Sequence, residues 1–214
     1  MVEIKWLGHA SFLITSETGI KIITDPYVVD ERLTYGEIKE SADIVTVSHE
    51  HGDHSNVAAV KGNPEVVKGT AKVKGIEFRA ISSYHDSSGG SQRGKNTIFC
   101  FGVDGVGVCH LGDLGHPLSD KQAADIGEVD ILLLPVGGFF TIDAEVATQI
   151  CDRLKPRVVI PMHFRNDKCR FPIAGVDEFL KGKKNVSRPD ASETEFKSGE
   201  LPAATKIVVL KPAL

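Results

Sequence analysis

Asp43-Ile44-Val45-Thr46-Val47-Ser48-His49-Glu50-His51-Gly52-Asp53-His54-Ser55 carries an apolar, β-branched run straight into four metal-type ligands within six positions. Three imidazoles and a carboxylate are each costly to bury unpaired, whereas divalent cations satisfy all four together. A polar loop that merely capped the next helix would need one such side chain, not four. The stretch therefore reads as a buried strand whose end opens a metal site, with His49, His51, Asp53 and His54 as its first ligands.

Upstream of it, Ile4 to Leu7, Ser11 to Thr15 and Ile20 to Thr24 read as strands broken by Gly8, Gly19 and Pro26. Downstream, Ser55 and Gly62 bracket a short helix that runs to Lys61. Glu65 to Val67, Ala71 to Val73, Ile76 to Ile81, Thr97 to Phe101 and Val106 to His110 are further strands, the last two joined by an Asp104-Gly105 hairpin turn. The second half alternates strand and helix. Ser119 to Gln122 is a capping box that opens a helix to Ile126, and Asp130 to Pro135 is a buried strand. Ile142, Val146, Ile150 and Leu154 form an apolar helical stripe that Pro156 stops. Arg157 to Pro161 and Lys206 to Leu210 are the closing strands, with a helical turn at Val176 to Leu180 between them. No Pro/Gly/Ser linker divides the chain, so residues 1–214 are expected to form one α/β (α+β) domain.

With 41% hydrophobic and 25% charged residues, the composition excludes disordered, collagen-like and disulfide-stapled classes. The N-terminus has no basic start followed by a long apolar stretch, so neither a signal peptide nor a membrane span is expected. Cys100, Cys109, Cys151 and Cys169 lack paired spacing and are expected to stay reduced as small buried hydrophobes, which places the protein in the cytoplasm. A net charge of -4 gives no overall pull towards nucleic acid or anionic lipid.

Ligands from one loop leave a metal site incomplete, and sheets flanked by helices gather ligands just past the carboxyl ends of their strands. His85 follows Ile81-Ser82-Ser83-Tyr84, Asp113 follows Val108-Cys109-His110-Leu111-Gly112, and His163 follows Val158-Val159-Ile160-Pro161-Met162. His110 ends its own strand. The same address recurs: an apolar run, then a His or Asp.

Together with Asp25 in Ile23-Thr24-Asp25-Pro26, the His49-Glu50-His51-Gly52-Asp53-His54 signature and the ordered His85, Asp113 and His163 resemble the metallo-β-lactamase fold superfamily over nearly the whole chain. Trp6-Leu7-Gly8-His9-Ala10, Pro135-Val136-Gly137-Gly138 and Pro161-Met162-His163-Phe164 look like the small stand-alone hydrolases related to ascorbate-6-phosphate lactonase, from which this chain departs in length. The resemblance implies a four-layer αββα sandwich with two divalent metal ions at one edge. By that analogy His49, His51 and His85 hold one ion, Asp53, His54 and His163 the other, and Asp113 bridges them. Zinc suits these imidazoles, and manganese or iron would also accept them. Gly52 is read as the residue that permits the turn between the two ligand pairs.

Such a pair implies a metal-bound hydroxide that attacks a carbonyl carbon or phosphorus atom. Asp53, or a nearby histidine such as His110, would return a proton to the leaving group. His9 and His110 are each open to three readings: a group behind a ligand, a substrate-facing acid, or a structural residue. Asp25 is expected to hold a ligating imidazole in its tautomer and orientation. The Gly-rich segment 87–96 is either a mobile surface loop or an overhang that brings Arg93 and Lys95 to an anionic substrate, and Arg165 raises the same possibility. Phe139-Phe140 is read as core packing ahead of a pocket lining.

The expected activity is hydrolysis of a small ester, lactone or phosphoester. A phosphodiesterase or nuclease acting on nucleic acid is an alternative supported only by the basic residues. A non-hydrolytic di-iron or metal-binding protein is another; superfamily members of that kind place Glu where this chain has His51 and carry a flavin domain that is missing here. No oligomeric state is indicated.

Overall fold

Phe12 and Leu13, Ile22 and Ile23, and Ile44 and Val45 are sequence neighbours that pack into different cores. Successive strand side chains point to opposite faces of a sheet, so each pair supplies both faces of one. The computed structural model, which describes all 214 residues, shows what covers those faces.

The chain runs through β1 (Val2–Gly8), β2 (Ser11–Thr15), β3 (Lys21–Thr24), β4 (Ile44–Thr46), β5 (Glu65–Val67), β6 (Ala71–Val73), β7 (Ile76–Tyr84), β8 (Lys95–Val103) and β9 (Val106–His110). Then follow α1 (Asp120–Ile126), β10 (Ile131–Pro135), α2 (Ala144–Leu154), β11 (Val158–Met162), α3 (Val176–Leu180), β12 (Val186–Ser187), β13 (Glu193–Phe196) and β14 (Lys206–Val208). One sheet has the order β13-β1-β2-β3-β4-β5, the other β12-β14-β11-β10-β9-β8-β7-β6. Chain direction in the second sheet matters for the site. β7 and β9 are both antiparallel to β8, and β9, β10 and β11 are parallel, so β7, β9, β10 and β11 all end at the same rim.

A core of 45 buried residues fills the space between the sheets and beneath the helices. The Asp143 carboxylate caps α2 by accepting the N–H groups of Glu145 (3.1 Å) and Val146 (3.0 Å), a cap of about 1 kcal/mol. Ala147, Ile150 and Cys151 bury the inner face of α2, and Lys155 ends it in a left-handed conformation just before Pro156. Ser119 and Gln122 form the expected capping box of α1.

The layer order is the expected one, with one difference in substance. The outer face of the first sheet is covered by Tyr27, Leu33, Tyr35, Ile38, Val60 and Phe171, contributed by irregular segments rather than by α-helix. The helix expected from Ser55 to Lys61 is instead a single 3-10 turn at Val57–Ala59. Asn56 offers no side-chain cap and Val60 is already extended; Asn56 N–H is tied to the Pro26 carbonyl (2.8 Å) and Lys61 N–H to that of Glu40 (3.0 Å). No helix is long and apolar enough to cross a membrane.

Candidate metal centre

Parallel pairing of β3 with β4 puts Asp25 beside the chain that leaves β4 towards the histidine run. Ser48 N–H donates to Asp25 Oδ1 (2.8 Å), Ser48 Oγ donates to Oδ2, and His54 Nδ1 donates to the same Oδ2 at 2.9 Å. Ser48 Oγ also lies 2.9 Å from His49 Nδ1. One buried carboxylate thus orients the start and the end of the run.

The remaining residues come from the common rim of the second sheet. His85 follows β7, Asp113 follows β9 and His163 follows β11. Asp113 is fixed by its own N–H, which donates to Asn96 Oδ1 (2.9 Å), while Asn96 Nδ2 donates to the Leu111 carbonyl (2.9 Å). Gly112 makes this approach possible. Its φ is +55°, and a Cβ there would stand 2.4 Å from Asn96 Oδ1 and 2.6 Å from Ser48 Cβ. Gly52, by contrast, has no positive φ and a Cβ there would meet nothing, so the turn between the ligand pairs does not require glycine.

His9 (φ 52°), Asp25 (φ 38°) and His163 (φ 49°) all sit in the left-handed region, a conformation that costs about 1–3 kcal/mol per residue. Each is held there from outside. The His9 carbonyl accepts both His163 N–H (3.1 Å) and Trp6 Nε1–H (3.0 Å), which stitches the two sheets together beneath the site.

The side chains converge in three groups, one of which, Asp25 with His49 and His54, shares a histidine with each of the other two. His49, His51 and His85 have ligating atoms within 4.8 Å of one another, as do His9, Asp53, His54 and His163. Asp113 lies between them: its Oδ2 is 3.1 Å from His85 Nε2, 3.2 Å from His54 Nε2, 3.3 Å from His163 Nε2 and 4.0 Å from His49 Nε2. Even so, His54 Nε2 and Asp113 Oδ1 are buried without a hydrogen-bond partner. Buried polar atoms that face one another unpaired are expensive, and cations between them would remove the expense.

The charges are consistent with that fit. Burial and the neighbouring imidazole of His54 push His49 down to about 3, and burial with His163 pushes His9 down to about 4, so both are neutral lone-pair donors at pH 7. At His54 burial is outweighed by the carboxylates of Asp113, Asp25 and Asp53, which raise it well above the usual range. The field there favours positive charge, whether proton or metal. Burial of Asp113 is outweighed by His163 and His54, which hold its carboxyl well below the carboxylate range.

Asp53, Asp113, His51, His85 and His163 face a cleft of about 420 Å³ that also takes in Arg93, Arg32, Phe140 and Phe171. The segment after His85 is tied down by hydrogen bonds. The buried Asp86 carboxylate accepts the N–H groups of Ser88 (2.7 Å), Gly90 (2.9 Å), Gln92 (3.0 Å) and Arg93 (2.8 Å), and the Arg93 bond foremost holds it down to about 2. The Arg93 guanidinium lies 5.5 Å over the Phe140 ring, Phe140 is 5.5 Å from Phe171, and Arg32 lies 5.2 Å over Phe171. Phe140 therefore lines the cleft while also packing against the second core, and Phe139 is 65% exposed.

Three expectations change. His110 is fully buried away from the cleft, its Nε2 2.9 Å from the Ala10 carbonyl and its Nδ1 accepting Gly112 N–H (3.3 Å), so it holds backbone and is not a proton donor to substrate. Lys95 lines a separate groove behind His49 and His51. Arg165 is exposed and engaged through its backbone with Ala174, outside the cleft. Arg32 and Phe171 carry no motif that would have marked them.

Two face-to-face sheets with His and Asp clusters at one rim define a metal-dependent hydrolase of the metallo-β-lactamase fold. The chain belongs to the β-lactamase superfamily domain family, whose model matches residues 3–163. A UPF0173 metal-dependent hydrolase of Carboxydothermus hydrogenoformans is 31% identical over 207 residues, covering 82% of this chain and 88% of that one. Another, of Pyrococcus furiosus, is 28% identical over 242 residues, covering 99% and 97%. A crystal structure of a candidate zinc-dependent hydrolase of the same superfamily from Thermotoga maritima is 37% identical, covers 98% of both chains and superposes with a TM-score of 0.81.

Proposed function

We propose that this hydrolase holds two divalent cations, zinc by preference, and cleaves an ester, lactone or phosphoester of a small anionic molecule. The observation that carries the reading is Asp113 Oδ2 standing within 3.1–3.3 Å of imidazoles from both ligand groups, while its Oδ1 is buried without a hydrogen-bond partner. His49, His51 and His85 would hold one ion, Asp53, His54 and His163 the other, with Asp113 between. When bound, the pair supplies Lewis acidity and a nucleophile usable at neutral pH.

The chain's own residues do the rest. Asp25 sets the tautomer of His54 by taking its Nδ1 proton into a hydrogen bond, leaving Nε2 as a lone-pair donor. His9 Nε2, 3.3 Å from Asp53 Oδ2, fixes the other carboxylate. Asp53 is 26% exposed, and its freely accessible side faces the cleft, where it can receive and return a proton near a leaving group. The wall of Arg93, Phe140, Phe171 and Arg32 orients the substrate: Arg93 has no carboxylate partner, whereas Arg32 is shared with Asp30 at 3.3 Å. A cleft of about 420 Å³ suits a small molecule better than a polynucleotide track. The four unpaired cysteines fit a reducing, cytoplasmic setting.

Turnover of aryl ester, lactone and bis-aryl phosphodiester reporters by the metal-replete protein tests the proposal. Hydrolysis of at least one class, abolished by chelation and restored by zinc, is expected; inertness towards all three would overturn it.

A further inference from the structure

β8 and β9 set Cys100 directly opposite Cys109, and the two sulfurs lie 3.2 Å apart. Neither belongs to the metal centre. Arg79 on β7 is opposite Cys100 in the next register, so Arg79, Cys100 and Cys109 form one cross-strand row. The guanidinium is anchored there by the Asp125 and Ile126 carbonyls at the end of α1, at 2.6 and 2.9 Å. A second cavity of about 410 Å³ is lined by both cysteines, Arg79, Glu77 and Glu128. What surface the two thiols expose, 4% and 1%, is met by a small reagent in this cavity, Cys100 the more of the two.

We propose that this row is an oxidation site, at which a small hydroperoxide entering the cavity converts the two thiols into a Cys100–Cys109 disulfide. Directly opposed antiparallel residues have Cα atoms about 4.5–5.5 Å apart, inside the span of about 4.4–6.8 Å that a disulfide bridges. The backbone therefore need not move. Cys100 attacks first: the Cys109 thiol donates to its sulfur and Arg79 faces it, and the two together hold Cys100 below the ordinary thiol range, whereas burial drives Cys109 up. The Cys100 thiolate forms an S–O bond as the peroxide O–O bond breaks, and the departing alkoxide takes a proton to leave as an alcohol. The Cys109 sulfur then displaces that oxygen as water, forming S–S, and its own proton leaves with it. Two thiols have lost two electrons to one peroxide. A dithiol reductant reverses the bond by exchange. Cys151, pushed up to about 12 by burial, and Cys169, raised by burial, have no sulfur partner and stay thiols.

Metal-replete protein treated with tert-butyl hydroperoxide and analysed by intact mass and peptide mapping tests this. The expected result is a loss of about 2 Da, a linked Cys100–Cys109 peptide pair and full reversal by dithiothreitol. Cys100→Ala should leave the mass unchanged, and Cys109→Ala should stop at a sulfenic acid on Cys100 that dimedone traps. Four intact thiols in the treated wild type, a disulfide or sulfenic acid at Cys151 or Cys169 instead, or no trapped adduct in folded Cys109→Ala would each overturn it.

Discussion

Asp25 Oδ2 accepts a 2.9 Å hydrogen bond from His54 Nδ1 in a fully buried pair, and that contact decides which nitrogen of His54 faces the centre. The carboxylate belongs to the end of β3 and the imidazole to the loop after β4, so the parallel pairing of those strands is what brings them together. Asp25→Asn keeps the volume but removes the charge that fixes the tautomer. Metal affinity should fall about 10–100-fold in a chelator competition titration. Unchanged affinity in a folded variant would mean that Asp25 serves the backbone of Ser48 alone.

Gly112→Ala tests the packing that delivers Asp113. The added methyl would lie 2.4 Å from Asn96 Oδ1 on a backbone with φ +55°, so both sterics and conformation oppose it. A loss of about 2–4 kcal/mol in urea unfolding is expected, together with weakened metal binding. Gly52→Ala, with open space around it, should cost under about 1 kcal/mol.

Asp86 ties stability to acid pH. Its folded value, about 2, lies below the ordinary 3.8, principally through the Arg93 N–H bond. A depressed carboxyl stabilises the fold fully above its unfolded value and loses that contribution as pH falls through the folded one. Wild type should therefore be more stable than Asp86→Asn above about pH 4, and the two should converge by about pH 2. Parallel stability curves over that window would show that the carboxylate is not what holds the 87–94 segment.

Arg93→Gln should raise KM for a carboxylate-bearing aryl ester about tenfold while leaving a neutral aryl ester unchanged, since removing one unshared guanidinium removes binding and not chemistry. Equal losses on both substrates would place Arg93 in the scaffold of the loop.

Much of the centre was legible because its signal is local. An apolar strand followed by an imidazole or carboxylate past its carboxyl end marks His49, His85, Asp113 and His163 alike, and these side chains do converge. His110 shows the limit of that rule. It ends a strand too, but lies within β9 and points between the sheets to the Ala10 carbonyl, whereas Asp113 lies three residues further on, past the rim. Arg32, Phe140 and Phe171 meet only through tertiary wrapping of irregular segments, which leaves no periodicity to read. β13 escaped notice because Glu193–Phe196 is short and half-exposed, and its partner β1 lies at the other end of the chain.

Metal content is the most direct test of the paired-cation centre. Inductively coupled plasma mass spectrometry of zinc-replete, desalted protein should give about two equivalents per chain, with Asp113→Ala losing most of both and His51→Ala losing chiefly one. A single equivalent, or two that survive Asp113→Ala unchanged, would contradict a centre in which Asp113 joins two groups of ligands.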